Sequence, residues 1–346
     1  GCSIILEKKA KEVILENIRK ATSYNRNILI RKIRDFKHHS TLPLTLRNFL
    51  TINNLEIQNI YAGMNRHGWK RLCQEAGIIP DFSTPNEEAM KRAIKKWLST
   101  KSSSYFYFIQ QLASNNFRII DKLEAEEEIM LFMVKNDFWA EDDCFSTLKE
   151  SIEVLGTCQP LVEEVLEVME ILMDEIDISE MPISLPYPQP LMVHARYTRE
   201  QILAAFGLKK FNQFTSYREG AAENEEIKTE VLFIELNKSE EDYSPTTMYN
   251  DYAISDTLFH WQSINSAGPH TGRGQSYINH QSLGKRILLF VREKAVDEYG
   301  LTMGYVFLGE GYLKEYYGSK PINIIWELAS PMPHYLWKDA AKLALA

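Results

Sequence analysis

Apolar residues recur at helical spacing through the first half of the chain and in short strand-like bursts through the second. From Ile5 to Tyr24, Leu6, Ala10, Val13, Ile14 and Ile18 share one face with Asn17, while Lys8, Lys9, Lys11, Arg19 and Lys20 fall on the others. That pattern predicts a basic amphipathic helix. A second helix is expected from about Arg26 to His38, and Thr45 is placed to cap a third that opens LRNFLTIN. Helical periodicity continues over 86–101, 105–117, 119–136 and 145–176, with acidic outer faces such as Glu126 to Glu128 and Glu163 to Glu164 read as solvated surface.

Four prolines within PISLPYPQPL, residues 182–191, cannot continue a helix and favour a stiff extended connection. We therefore expect a helical domain over 1–185, a proline-rich linker over 186–194 and a second domain over 195–346. In the second domain Thr198, Glu200 and Gln201 open a capped helix that Gly207 closes. The runs at 231–236, 286–293, 304–309 and 322–328 read as strands separated by turns, several of them glycine-containing. The expected architecture is an all-α half followed by an α+β, partly closed β-barrel, whose mouth would hold ligands.

Net charge changes this picture more than composition does. The chain of 346 residues, 45% hydrophobic, has ample material for two or three cores. Its overall charge of −8 conceals blocks of opposite sign. Residues 1–120 carry 20 Lys and Arg against 9 Asp and Glu, whereas 121–193 carry 3 against 19. Such asymmetry points to a polyanion-facing front piece and an acidic element that repels nucleic acid or docks on a basic partner. A solvated helical surface accounts for the basic excess equally well. Four widely spaced cysteines, Cys2, Cys73, Cys144 and Cys158, suit reduced thiols, and no apolar run is long enough for a bilayer, so a cytoplasmic protein is expected.

The chemistry gathers between Tyr243 and His280. Tyr249, Tyr252, Phe259 and Trp261 lie among Asn250, Asp251, His260 and Gln262, a mixture suited to stacking a flat heterocycle while a carboxylate and amides read its edge. Ordinary half-buried aromatics of a barrel rim are the competing reading. In the next stretch Thr271, Arg273, Gln275 and Lys285, on or beside a glycine-rich loop, are candidates for phosphate contacts, with Tyr277 or Asn279 filling a vacated base stack. Catalytic patterns are missing: Gly284 and Lys285 do not complete a phosphate loop, and no phospholipase-D, GxSxG or HExxH signature is present. Ser282 with Lys285, Glu226 with Lys228, and the regularly spaced His260, His270 and His280 are weak alternatives for acyl, nuclease and metal chemistry. We assign no catalytic residue, no metal and no cofactor to these residues.

From Thr45 to Ile79 three short helices, broken at Asn53 and Asn54 and at 63–68, resemble a helix-turn-helix, and GWKRLCQEAG is similar to small DNA-associated repeats. Arg66, Lys70 and Arg71 would then meet phosphates, beside His67, with Trp69 packed inside. A helical adaptor that never touches DNA is the equal alternative.

The aromatic stretch YSPTTMYNDYAISDTLFHWQS and the following TGRGQSYINHQSLGKRILLFVRE, together with GYVFLGEGYLKEYYGSKPINIIWEL and PMPHYLW, resemble one known arrangement. It is the C-terminal domain of proteins that fuse a phospholipase-D-type nuclease, a superfamily 2 helicase and a β-rich domain, some of them ATP-dependent type IV restriction enzymes. The likeness covers roughly 195–337, and the helices from Leu6 to about Pro190 resemble the segment that joins helicase to reader. It implies a domain similar to the SET-and-RING-associated readers that flip 5-methylcytosine, with 5-hydroxymethylcytosine left open. It further implies duplex DNA carrying modified cytosine as partner, and upstream helicase and nuclease domains on the same chain that supply ATP, Mg and cleavage. A homodimer is left open. The other function classes kept are a metal-dependent nuclease domain and a structural or dimerisation module of a helicase.

Overall fold

The computed structural model describes residues 9–14, 24–62, 67–215, 217–236 and 251–337. The chain divides into two compact units, Gly1–Ile176 with Val296–Thr302, and Asp177–Ala295 with Met303–Ala346. Tyr249 and Arg66, and with them Asn250, lie outside the described residues, as does most of the leading amphipathic helix, of which residues 9–14 are helical.

The described part of the first unit is built of helices, with an isolated bridge between Val296 and Thr302. Its elements are α1 (Arg26–His39), α2 (Leu46–Ile52), α3 (Gln58–Tyr61), α4 (Trp69–Glu75), α5 (Glu87–Trp97), α6 (Ser103–Ser114), α7 (Ala125–Phe138), α8 (Leu148–Glu153) and α9 (Gln159–Asp174). Local chemistry sets the ends. Asn25, Thr45, Ser102 and Thr147 each accept a backbone N–H at an N-cap, the role for which short oxygen-bearing side chains are selected. The periodic run expected over 145–176 is broken at a 3-10 turn, Val154–Thr157, before Pro160 opens α9. Gly156 is required there, since a Cβ would stand 2.0 Å from the Asn116 carbonyl.

The opposite charges of the two leading blocks meet inside this unit. Lys70 pairs with Glu163 and Glu167 at 3.4 and 3.1 Å, and Arg47 reaches Glu170 and Asp174 at 3.2 and 2.6 Å. The acidic helix α9 is thus docked on basic residues of the same chain. Arg71 is held likewise, by Glu87 at 2.8 Å and Asp81 at 3.2 Å, with its guanidinium 4.0 Å over the Phe82 ring.

The second unit begins earlier than the expected linker. Residues 177–194 pack on it: Met181 pairs with Val193, Tyr187 shares a 2.6 Å hydrogen bond with Thr229, and Leu191 and Val193 are buried. Proline prevents helix without preventing docking, because an extended segment still offers carbonyls and side chains. Then follow β1 (Arg196–Tyr197), α10 (Arg199–Ala205), β2 (Ala221–Asn224), β3 (Thr229–Glu235), β4 (Tyr252–Ala253), β5 (Leu258–Gln262), α11 (Gly272–Ile278), β6 (Arg286–Arg292), β7 (Tyr305–Tyr317) and β8 (Asn323–Leu328). Thr198 and Gln201 complete a capping box on α10.

Among the described residues the strands form one eight-stranded sheet in the order β2-β3-β6-β7-β8-β5-β4, with β1 added to β7. The β3 and β6 pair is parallel and the others are antiparallel. Among the described residues the sheet is therefore mixed and open, and the expected partly closed barrel is not seen: β2 and β4 stand at its two ends without pairing. Leu232, Ile234, Ile287, Leu289, Phe259 and Trp326 form the core of one face. Among the described residues no helix is long and apolar enough to cross a membrane.

Candidate ligand pocket

A cavity of about 280 Å³ in the second unit brings together residues from widely separated strands. Ala221 of β2, Phe233 and Glu235 of β3, Trp261 and Gln262 of β5, Arg292 of β6, Tyr305 of β7 and Tyr277 of α11 all line it, with Arg199, Arg218 and Asp251. Strands at opposite ends of the sheet order meet here. The volume lies just under the roughly 300–1,000 Å³ typical of small-ligand sites. A larger groove of about 510 Å³ in the helical unit, beside Phe36, Leu42 and Ile52, gathers no comparable set of rings and charges, so we place the site in the sheet.

Asp251 sits immediately before β4, and its Oδ1 accepts the Gln262 backbone N–H at 2.9 Å. The Gln262 side chain in turn donates to Asn323 Oδ1 at 2.8 Å. These bonds fix the carboxylate and the amide at the cavity wall. Trp261 is 5% exposed and packs edge-on to Tyr277 at 5.0 Å and tilted against Trp326 at 6.1 Å. It is a core residue with one surface on the cavity. Phe259 is wholly buried opposite Trp326 and does not line the cavity. Tyr252 stacks on its cross-strand partner His260 with centroids 4.5 Å apart, and His260 Nε2 lies 3.1 Å from the Tyr317 hydroxyl. Burial holds the Tyr252 hydroxyl above its ordinary pKa.

The stretch read as a glycine-rich loop is the helix α11, and its polar residues build it. Thr271 is the N-cap, accepting from Gly274 N–H at 3.1 Å and donating to the Gly268 carbonyl at 2.9 Å. Gln275 donates to the Pro269 carbonyl, and Asn279 donates to Gln275 at 2.6 Å. Gly274 allows the helix to lie against the Gly268 carbonyl, where a Cβ would come within 1.9 Å. One helical turn after Arg273, Tyr277 faces inward.

Behind the cavity wall runs a buried charged chain. The Tyr277 hydroxyl donates to Glu230 Oε1 at 2.7 Å and accepts from Arg273 Nε at 3.2 Å. Lys285 pairs with Glu230 at 2.5 Å and with Glu223 at 3.0 Å, and donates to Ser276. The side chains of Lys285 and Glu230 are 5% and 2% exposed. Burial, reinforced by the Glu230 charge, raises the Tyr277 hydroxyl far above its ordinary pKa, so it remains a donor. Lys285 is thus committed to carboxylates inside the fold, and its role here is to hold α11 to β3; a phosphate would have to compete with both of them. Lys70 and Arg71 of the other unit are occupied in the same way.

Several wall residues escaped the sequence reading. The parallel register sets Glu235 directly opposite Arg292, and their side chains pair at 2.7 Å. The signal was a single charge ending each of two apolar runs, VLFIE and ILLFVR. Arg292 lies 4.6 Å over the Tyr305 ring, and Arg199 lies 4.1 Å over Phe233 while donating to the Glu219 carbonyl at 3.0 Å and the Tyr305 hydroxyl at 3.3 Å. Arg199 and Arg218 have no ion-pair partner among the described residues.

The histidines spaced ten apart do not converge. His280 is buried, its Nδ1 3.1 Å from the Lys285 carbonyl and its Nε2 accepting from Leu313 N–H at 3.1 Å, and burial lowers its pKa. Among the described residues no group of three or more His, Cys, Asp or Glu is placed to hold a metal ion.

Residues 191–340 match the family model of a domain of unknown function, DUF3427. The matched span contains every strand of the sheet, α10, α11 and the cavity. No curated protein matches the chain.

Proposed function

We propose that this chain is the target-recognition region of an ATP-dependent, modification-dependent restriction enzyme, and that the sheet domain binds DNA containing 5-methylcytosine by extruding the base into the cavity. The observation that carries the reading is the convergence of Asp251, Gln262, Trp261 and Tyr277 on one small cavity with Phe233 and Tyr305. A flat pyrimidine placed there meets rings on its faces, and the Asp251 carboxylate, oriented by Gln262, accepts from the exocyclic amine. Apolar contact with the ring-lined wall takes up the methyl group. The reading thereby draws the domain toward the SET-and-RING-associated type, built here on an open sheet.

Under this reading the chain itself binds and does not cut. Nuclease and helicase chemistry, with ATP and Mg, belongs to other domains of the parent protein, and its setting is the cytoplasm. The helical unit couples these domains to the reader. Exposed basic residues of α1, including Arg31, Arg34 and Lys37, would add sequence-independent phosphate contacts. The test is a binding competition between otherwise identical duplexes with and without methylated cytosine. Preference for the methylated duplex supports the proposal, and equal affinity across a randomised pool removes it.

A further inference from the structure

Beside the cavity lies a second, larger one of about 530 Å³, and the two share Arg218 and Ala221 in their walls. Tyr217, Glu219, Ala222, Glu223 and the α11 residues Gly272, Arg273 and Ser276 complete it. Its chemistry differs from that of the first. The carboxylates of Glu219 and Glu223 stand on the wall, Arg273 is engaged with Glu219 at 3.5 Å and with Tyr277, and Glu223 is tied to the buried Lys285. Arg218, between the two, is exposed and has no ion-pair partner among the described residues.

We propose that the second cavity is a nucleotide subsite, which takes the nucleotide neighbouring the extruded one, with the phosphate that joins them held by Arg218. This rests on the reading of the first cavity as a base pocket. A guanidinium that two concavities share, with no ion-pair partner among the described residues, is positioned for a group common to both ligands, and in a nucleic acid strand that group is the bridging phosphate. The wall carboxylates would repel a phosphate and suit the amino and imino hydrogens of a base, while Tyr217 offers a ring for stacking. The same buried chain of Lys285, Glu230 and Tyr277 supports walls of both cavities, so the two subsites are built on one scaffold. The consequence is a preference for the base flanking the modified cytosine.

Gly272 provides a clean test, because a Cβ added to it meets no heavy atom within 4 Å. Gly272→Trp should fill the second cavity, with Gly272→Ala as the control for helix effects. The whole chain and its variants are presented with a duplex pool that carries one 5-methylcytosine between randomised neighbours, and with the unmethylated pool. Gly272→Trp should change or flatten the ranking of flanking bases while the methyl preference stays. Arg218→Gln should weaken binding to both pools about tenfold and reduce the salt slope by about one, and Arg218→Lys should restore the slope. If the parent prefers methylated DNA but Gly272→Trp keeps its flank ranking and Arg218→Gln its affinity and slope, this inference falls and the base-pocket reading stands. A parent with no preference for methylated DNA overturns both.

Discussion

The Asp251 carboxylate and the Gln262 backbone amide are joined by a 2.9 Å hydrogen bond across the antiparallel β4 and β5 pair. Asp251 therefore enters the cavity from a fixed position at a strand end, without the reorganisation a mobile loop residue would need. Asp251→Asn keeps an oxygen for Gln262 but replaces the charged acceptor with an amide. The methylated site should lose roughly 1–3 kcal/mol of discrimination with little change in folding stability. Binding to methylated and unmethylated duplexes, with thermal melts in parallel, checks this. An undiminished preference in a folded Asp251→Asn protein would sink the assignment.

Trp261 separates packing from recognition in the opposite sense. With 5% exposure and two aromatic neighbours, its truncation to Ala should cost about 3–5 kcal/mol of stability, the range for large aromatic deletions in cores. Urea unfolding measures it. A loss below about 1 kcal/mol would show that the indole carries little packing.

Glu230→Gln tests the buried chain. It leaves the Lys285 ammonium with Glu223 alone in a poorly solvated position, and breaking a buried pair costs about 3–5 kcal/mol. The double variant Glu230→Gln with Lys285→Met should recover part of that loss, since no buried charge is then stranded. Equal instability of the single and double variants in denaturant titrations would mean that the pair itself, and not a stranded lysine, sets the cost.

Helix starts and most long strands were legible because they rest on local chemistry: Thr45 and Thr198 cap as their side chains dictate, and VLFIEL and RILLFVRE carry continuous apolar runs. Harder to see was β5. Its LFHWQ reads as a polar-aromatic loop, and only pairing with β8 on one side and β4 on the other buries Phe259, His260 and Trp261 together. Glycines concealed α11, since Gly272 and Gly274 lower helix propensity while Gly274 is needed for close packing against Gly268. At the site, Asp251, Gln262, Trp261 and Tyr277 were within reach of composition. Arg199, Arg218 and Tyr305 were not, because a helix, a connecting segment and a strand far apart in sequence come together only in the folded unit.

The exposed basic residues of α1 offer a test of the division between units. Arg31→Ala with Lys37→Ala should lower affinity equally for methylated and unmethylated duplexes and reduce the salt slope by up to about two, leaving the methyl preference unchanged. Fluorescence titrations at several salt concentrations read both quantities. Loss of preference with an unchanged slope would assign recognition to the helical unit.

Glu164 couples the stability of the helical unit to pH. Gly68 offers no side chain to cap α4, and Glu164 of α9 performs that task from 94 residues away in sequence, its Oε1 accepting the Lys70 N–H at 2.7 Å and its Oε2 the Tyr61 hydroxyl at 3.0 Å. The side chain is completely buried, and burial raises its pKa from 4.5 to about 7, against the lowering effect of these donors. Between those two values the folded chain binds a proton that the unfolded chain releases. The stability contributed by this group is thus full below pH 4.5 and is lost as pH rises to about 7, by about 3 kcal/mol in all. Other carboxylates superimpose their own trends, so the quantity to measure is the difference between the parent and Glu164→Gln, whose amide does not titrate. That difference should fall across the interval and level off above it. A difference that is flat, or that rises with pH, would mean that Glu164 is ionised throughout and that the donors of α4 and Tyr61 outweigh its burial.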